Sequence, residues 1–161
     1  MTGRVTLDPL MVKGEHTEWY ERASRALQDA GYRRGGARHA LLELLDTQAC
    51  ARSAIEIEEM LRHQSQSARA VSRASIYRIL AELEALGLVT KLEVGEAMWR
   101  FEAARGGTHH HHHLICDYCG TVAPFADEEL ERAIRHVSER VALDVSEHEV
   151  VFHGACDICA A

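Results

Sequence analysis

The chain has 161 residues, 47% of them apolar, enough to build one large domain or two small ones. No apolar run reaches the roughly 18 residues of a membrane span, and the opening "MTGRVTLDPLMVKGE" has no continuous apolar stretch. Neither a membrane protein nor a secretory signal is therefore expected, and the cytoplasm is the default location. The net charge of -7 argues against a nucleic-acid binder only until it is resolved along the chain. Residues 1–91 hold 13 basic and 12 acidic residues, and residues 92–161 hold 5 and 13.

Taken in order, Thr17 is placed to cap a helix running to Ala30, with Trp19, Tyr20, Ala23, Leu27 and Ala30 on one side and Gly31 stopping it. Ala37 to Asp46 repeats the pattern through Leu41, Leu44 and Leu45. Ser53 is a cap for a third helix that turns Ile57, Met60 and Leu61 inward. The fourth, in "SRASIYRILAELEALG", has Ser72 as N-cap, Ile76, Ile79, Leu80, Leu83 and Leu86 at helical spacing, and Gly87 as terminator. Its other face carries Arg73, Ser75, Tyr77 and Arg78. No acidic residue lies between Glu59 and Glu82, where Arg62, Arg69, Arg73 and Arg78 fall, which is the footprint that phosphate contact needs. Such a helix suits a major groove, but an ordinary solvated helix has the same pattern. "LVTKLEVGEAMWRFE" then alternates on both sides of Gly95-Glu96 and reads as a hairpin. Helices followed by a hairpin give the layout of a winged helix-turn-helix.

"AARGGT", Ala103 to Thr108, reads as a linker. Five histidines follow and run straight into "LICDYCG". A purification tag normally stands at a terminus, so this run is read as the start of a strand ending at Cys116. Side chains alternate across a strand. His109, His111 and His113 then face one way, His110 and His112 the other. One histidine run thus makes two back-to-back donor sets. Glu102, at the hairpin's end, serves the first. Asp127 is placed to cap a helix that turns Leu130, Ile134, Val137 and Val141 inward, with Glu131 beside that stripe. "EHEVVFHGAC" reads as a further strand with His148 at its start. His110, His112, Glu131 and His148 together offer a nitrogen and oxygen site for zinc or another first-row divalent ion. His16, His39, His63, His136 and His153 are read as solvated.

Cys116/Cys119 and Cys156/Cys159 are two Cys-x-x-Cys pairs separated by 36 residues, while Cys50 stands alone. In a reducing compartment this two-plus-two spacing reads as a tetrahedral thiolate site for Zn2+. Four thiolates leave no open position, so the ion supplies folding energy and no catalysis.

The segments "SIYRILAELEALGLV", "HHHHHLICDYCG", "SEHEVVFHGAC" and "CDIC" together resemble the ferric uptake regulator (Fur) family of metal-responsive repressors, from about residue 17 onward. The resemblance implies an α+β chain. An N-terminal winged helix-turn-helix domain (1–102) would be joined by a hinge (103–108) to a C-terminal α/β metal-binding dimerisation domain (109–161). It implies a homodimer on a double-stranded DNA operator, with Tyr77 and Arg78 as DNA contacts and Arg33 or Arg34 on phosphate. Cys116, Cys119, Cys156 and Cys159 would hold structural Zn2+. Glu102, His111 and His113 would belong to a regulatory site for Zn2+ or Fe2+, with Cys50 as a candidate fourth ligand. His110, His112, Glu131 and His148 would form the further site. Iron- and peroxide-sensing members usually place a carboxylate where this chain has Pro124, and zinc-sensing members often place a cysteine near the position of Glu102. The histidine-rich strand is similar to that of zinc sensors, so zinc sensing leads and iron or peroxide sensing follows. Two readings of another class remain: a zinc hydrolase on Glu102, His111 and His113, and a metal-buffering protein. Against the hydrolase, the chain has no helical His-x-x-x-His with an adjacent base.

Overall fold

The structure is a computed structural model that describes residues 16–64, 71–94, 98–105, 111–141, 145 and 148–160, with the side chains of 16 and 17 left aside. These residues fall into two compact units, one holding 16–105 and the other 111–160. Among the described residues no helix is long and apolar enough to cross a membrane.

The first unit runs α1 (His16–Asp29), α2 (Gly36–Thr47), β1 (Arg52–Ser53), α3 (Ala54–Gln64), α4 (Arg73–Ala85), β2 (Val89–Glu93) and β3 (Trp99–Ala103). Trp19, Ala23 and Leu27 of α1, Leu41, Leu44 and Leu45 of α2, Ile57 and Leu61 of α3, and Ile76, Ile79, Leu80 and Leu83 of α4 close one core. Each fully buried Leu or Ile contributes roughly 1.5–3 kcal/mol relative to exposure. The indole N–H of Trp19 donates to the Leu88 carbonyl at 2.9 Å, tying the first helix to the end of the fourth. α1 and α4 end alike. Gly31 (φ 82) and Gly87 (φ 65) take the left-handed conformation. The next residue's N–H then reaches back five residues, Tyr32 to Leu27 and Leu88 to Leu83, both at 2.9 Å.

Ser72 caps α4 as expected, its Oγ accepting from the Ser75 N–H. Ser53 and Glu56 cap α3 reciprocally: the Ser53 N–H donates to Glu56 at 2.7 Å, and the Glu56 N–H donates to Ser53 Oγ at 3.2 Å. Two details of α1 differ from the sequence reading. The helix already contains Thr17, so that residue is not its cap, and Ala30 is exposed because it lies past the last helical turn. β1 was also not anticipated. It pairs with β3, giving the antiparallel sheet order β1-β3-β2. β2 and β3 pair as the hairpin reading requires, although the turn at Gly95-Glu96 lies outside the described residues.

The second unit runs β4 (His112–Cys116), β5 (Val122–Phe125), α5 (Glu128–Arg140) and β6 (Val151–Gly154). β4 is central, antiparallel to β5 and parallel to β6. Pro124 sits on β5, a strand with a single neighbour, where its missing N–H breaks no ladder. Asp127 caps α5, accepting from the N–H groups of Glu129 and Leu130 at 2.9 and 2.8 Å. The inward stripe expected on α5 is only half realised. Leu130 and Ile134 are half-buried, but Val137 and Val141 are 55% and 56% exposed. On the sheet, Leu114 and its β6 neighbour Phe152 are likewise exposed. Three strands and one helix do not cover this apolar surface.

Candidate metal centres and nucleic-acid face

The four paired cysteines come together at the end of the second sheet, each Sγ within 4.8 Å of the others. β4 delivers Cys116 as its last residue, and β6 runs beside it and leads into Cys156. The knuckles are built by the backbone: the Gly120 N–H donates to the Cys116 carbonyl at 2.8 Å, and the Cys159 N–H to the Cys156 carbonyl at 2.9 Å. The Asp117 N–H donates to the Gly154 carbonyl at 2.8 Å and locks one knuckle to the other strand. Zinc–sulfur bonds of about 2.3 Å in a tetrahedron put sulfurs about 3.8 Å apart. Cys119 Sγ and Cys156 Sγ are 3.8 Å apart, so these residues fit the ion. Their acidity fits as well. The backbone N–H of Cys156, then that of Cys119, brings the Cys116 thiol down to about 6. Hydrogen bonding to the sulfurs of Cys156 and Cys119 pushes Cys159 up to about 12. Crowded sulfurs that share protons are the arrangement a dication relieves.

The opposite-face reading of the histidine run can be checked from His111 onward, since His109 and His110 lie outside the described residues. His112 is fully buried. Its Nε2 lies 2.8 Å from Glu131 Oε1, and His148 Nε2 lies 3.2 Å from Glu131 Oε2. One carboxylate of α5 thus spans two imidazoles. The Val150 N–H donates to His112 Nδ1 at 3.3 Å, which leaves Nε2 as the nitrogen turned to Glu131. His112, Glu131 and His148 each offer a donor atom within 4.8 Å of the others, two nitrogens and an oxygen that suit a first-row divalent ion.

His111 and His113 pair with each other, with ring centroids 4.9 Å apart at 71°. His113 is buried, and its Nδ1 lies 3.6 Å from a carboxylate oxygen of Glu149, a residue the sequence reading passed over. The signal was available: if His148 faces His112, its extended-chain neighbour faces the other side.

In the first unit, Glu102 on β3 is half-buried and Cys50 is buried. Burial, then the charge of the Glu102 carboxylate, pushes the Cys50 thiol up to about 11. These two residues are therefore electrostatic neighbours.

Of the residues read as DNA contacts, Tyr77 and Arg78 stand exposed on α4. Arg78 lies 4.0 Å from Glu82. Arg73 is 2.6 Å from Glu58. Ser75 is half-buried, with its Oγ 3.0 Å from that of Ser72. Arg34 donates to Gln28 at 2.6 Å. Arg33 and Arg78 line one depression of about 350 Å³ with Arg38 and Glu82. Arg38 and Glu82, 2.5 Å apart and each 13% exposed, bridge α2 to α4 beneath it. Sequence reading missed that bridge.

The model of the Ferric uptake regulator family matches residues 29–153. The ferric uptake regulation protein of Legionella pneumophila is 31% identical over 138 residues, covering 84% of this chain and 97% of the relative. That of Vibrio anguillarum is 30% identical over 135 residues, covering 83% and 87%. Among solved structures, the Vibrio cholerae ferric uptake regulator is 28% identical with a TM-score of 0.68, covering 83% of this chain and 98% of that one. The Helicobacter pylori regulator, described as having three functional metal-binding sites, shares the fold at a TM-score of 0.74 and 24% identity, with 99% and 98% covered. With a winged helical unit, a four-cysteine centre and a strand whose histidines serve two faces, the chain belongs to the ferric uptake regulator family, metal-dependent transcriptional regulators and not enzymes.

Proposed function

We propose that this protein is a zinc-sensing repressor that binds a palindromic double-stranded DNA operator as a homodimer. The observation that carries the reading is the division of donors across β4, with His112 turned to Glu131 and His148, and His113 paired with His111. Residues 1–102 are the reading head, 103–108 the hinge and 109–161 the dimerisation domain. Cys116, Cys119, Cys156 and Cys159 hold structural Zn2+. His112, Glu131 and His148, joined by His110, hold a further ion. Glu102 joins His111 and His113 in the regulatory set, and the buried Cys50 beside Glu102 is the candidate fourth donor.

A bound ion supplies positive charge and a rigid cross-link to this last donor set. The chain's own residues do the rest. Glu102 is drawn from β3, the second strand after the recognition helix α4, so its position fixes where Tyr77, Arg78, Ser75 and Arg73 point. Arg33 and Arg34 take phosphate. In a dimer the two α4 helices then meet successive major grooves, about 34–36 Å apart. The exposed Leu114, Phe152, Val137 and Val141 supply apolar surface for the second copy. A coupling of roughly 1–3 kcal/mol per effector site is typical, and a dimer has two such sites.

The test is the double variant His111→Ala/His113→Ala. It is expected to remain a folded dimer that no longer gains operator affinity on metal addition in a gel shift. Full metal-dependent binding would sink the assignment. Iron sensing is the second reading, favoured by the relatives that are ferric uptake regulation proteins. Comparing Zn2+ with Fe2+ for restoring operator binding to partly demetallated protein separates the two.

A further inference from the structure

We infer that Glu149 is a positioning carboxylate for the His111/His113 metal face, holding His113 by Nδ1 so that Nε2 is the nitrogen offered to the ion. This rests on the reading that His113 is a regulatory ligand, and it adds a member to that site.

The surroundings of His113 are asymmetric. On one side its register partner is Pro124, whose side chain has no donor or acceptor. On the other side β6 runs parallel, with Val151 in register and the His113 N–H donating to the Val150 carbonyl at 3.1 Å. That bond brings the lead-in of β6 against His113, with Glu149 one residue before Val150. Because neighbours in extended chain point oppositely, the segment repeats the division seen on β4. His148 reaches Glu131, and Glu149 reaches His113. Of the two strands flanking His113, only the β6 side brings a carboxylate to it among the described residues.

The chemistry follows from the imidazole. A neutral ring has one N–H and one lone pair, so the group beside one nitrogen decides which nitrogen can bind metal. A carboxylate oxygen 3.6 Å from Nδ1 favours the proton there and so makes Nε2 the nitrogen that carries the lone pair. A small movement closes that distance to a hydrogen bond, and Glu149, 52% exposed, has room to make it. The added negative charge beside the ring favours a dication. Removing such an outer carboxylate typically costs 10–100-fold in metal affinity.

The test uses full-length protein that keeps its structural zinc. Co2+ is titrated against a competing chelator and the visible d–d absorption is recorded. The cobalt signal that belongs to this face is the part lost in His113→Ala. Glu149→Gln and Glu149→Ala are expected to weaken that part 10–100-fold and shift its bands. Glu149→Asp should recover some of the loss, and Glu139→Gln, an exposed charge on α5, should change nothing. If the Gln and Ala variants keep wild-type affinity and bands while His113→Ala loses the signal, the role of Glu149 is refuted and the ligand assignment stands. If His113→Ala also leaves cobalt binding intact, the face itself is misassigned and the inference falls with it.

Discussion

The two units of this chain are stabilised in different ways. The unit of residues 16–105 contains every member of the buried apolar cluster identified among the described residues, from Trp19 to Phe101. The unit of residues 111–160 buries Ile115, Cys116 and Val122, and beside them His112 and His113. The first is an ordinary small helical core. Among the described residues, the second buries two histidines and a cysteine beside only two aliphatic side chains, and leaves Leu114, Phe152, Val137 and Val141 exposed. On the proposed function, bound ions and a second copy would give this unit what the first obtains from leucines. The division suits a regulator, because the part that reads DNA must be folded in every state and the part that reports metal must respond to it.

The largest expected effect breaks the second unit and spares the first. Structural zinc in small domains contributes roughly 10–16 kcal/mol of apparent binding free energy, which is folding free energy when the site does not preform. Cys116→Ser, or strong chelation, should therefore unfold residues 111–160 while α1 to α4 persist. Limited proteolysis should yield a protected fragment ending near Arg105. A single cooperative loss of all helix signal would mean that the units are not independent.

The mirror-image experiment is Leu80→Ala. Leu80 is fully buried on α4, and truncations of this kind cost roughly 2–5 kcal/mol. The urea midpoint of the helical unit should fall by the corresponding amount, with the zinc stoichiometry unchanged. Loss of zinc would show that the four-cysteine centre depends on the helical core.

How much of this was legible depended on how far each signal reaches. The cysteine pairs and the histidine alternation were readable because a metal site and a strand each impose a fixed spacing, and the structure gathers the four cysteines and sets His112 with Glu131 and His148. Ser72 was readable because a cap is a local hydrogen bond. The apolar stripe of α5 was readable as a stripe, but periodicity says only that a face is apolar. Whether the same chain covers it is a tertiary fact, and Val137 and Val141 stay exposed among the described residues. β1 has two residues, too few to show any period. The Arg38–Glu82 bridge joins residues 44 apart in sequence, each of which looks like a solvated charge until α2 and α4 pack. Glu149 looked equally ordinary, since its role depends on which strand lies beside its own.

That bridge gives an intermediate prediction within the first unit. Glu82→Gln removes the charge facing Arg38 and leaves a largely buried guanidinium poorly satisfied, at a cost of about 1–3 kcal/mol. Since Glu82 also faces Arg78 at 4.0 Å, operator affinity should change along with stability. An unchanged urea midpoint with altered DNA binding would make the pair an organiser of the DNA face and not a structural tie.

The smallest effect concerns acid, and it sharpens the contrast between the units. Burial acts against the ionised form of Glu56, but the Ser53 N–H and hydroxyl and then Arg100, at 2.8 Å, outweigh it and hold the carboxyl below its ordinary value of 4.5. A folded value below the unfolded one means the native unit binds fewer protons across that window. The stabilisation is therefore complete above the unfolded value and is lost as pH falls through the folded one. Between wild type and Glu56→Gln, the gap in urea midpoint for the helical unit should be widest above the ordinary value of 4.5 and should close as pH falls below it. A gap that stays constant, or widens in acid, would assign the cap of α3 to packing and not to charge. Over the same range the second unit should respond far more steeply, because protons would compete with the proposed zinc for its thiolates. A shallow, graded response in residues 16–105 beside an abrupt one in residues 111–160 is what a leucine core joined to a thiolate-held domain requires.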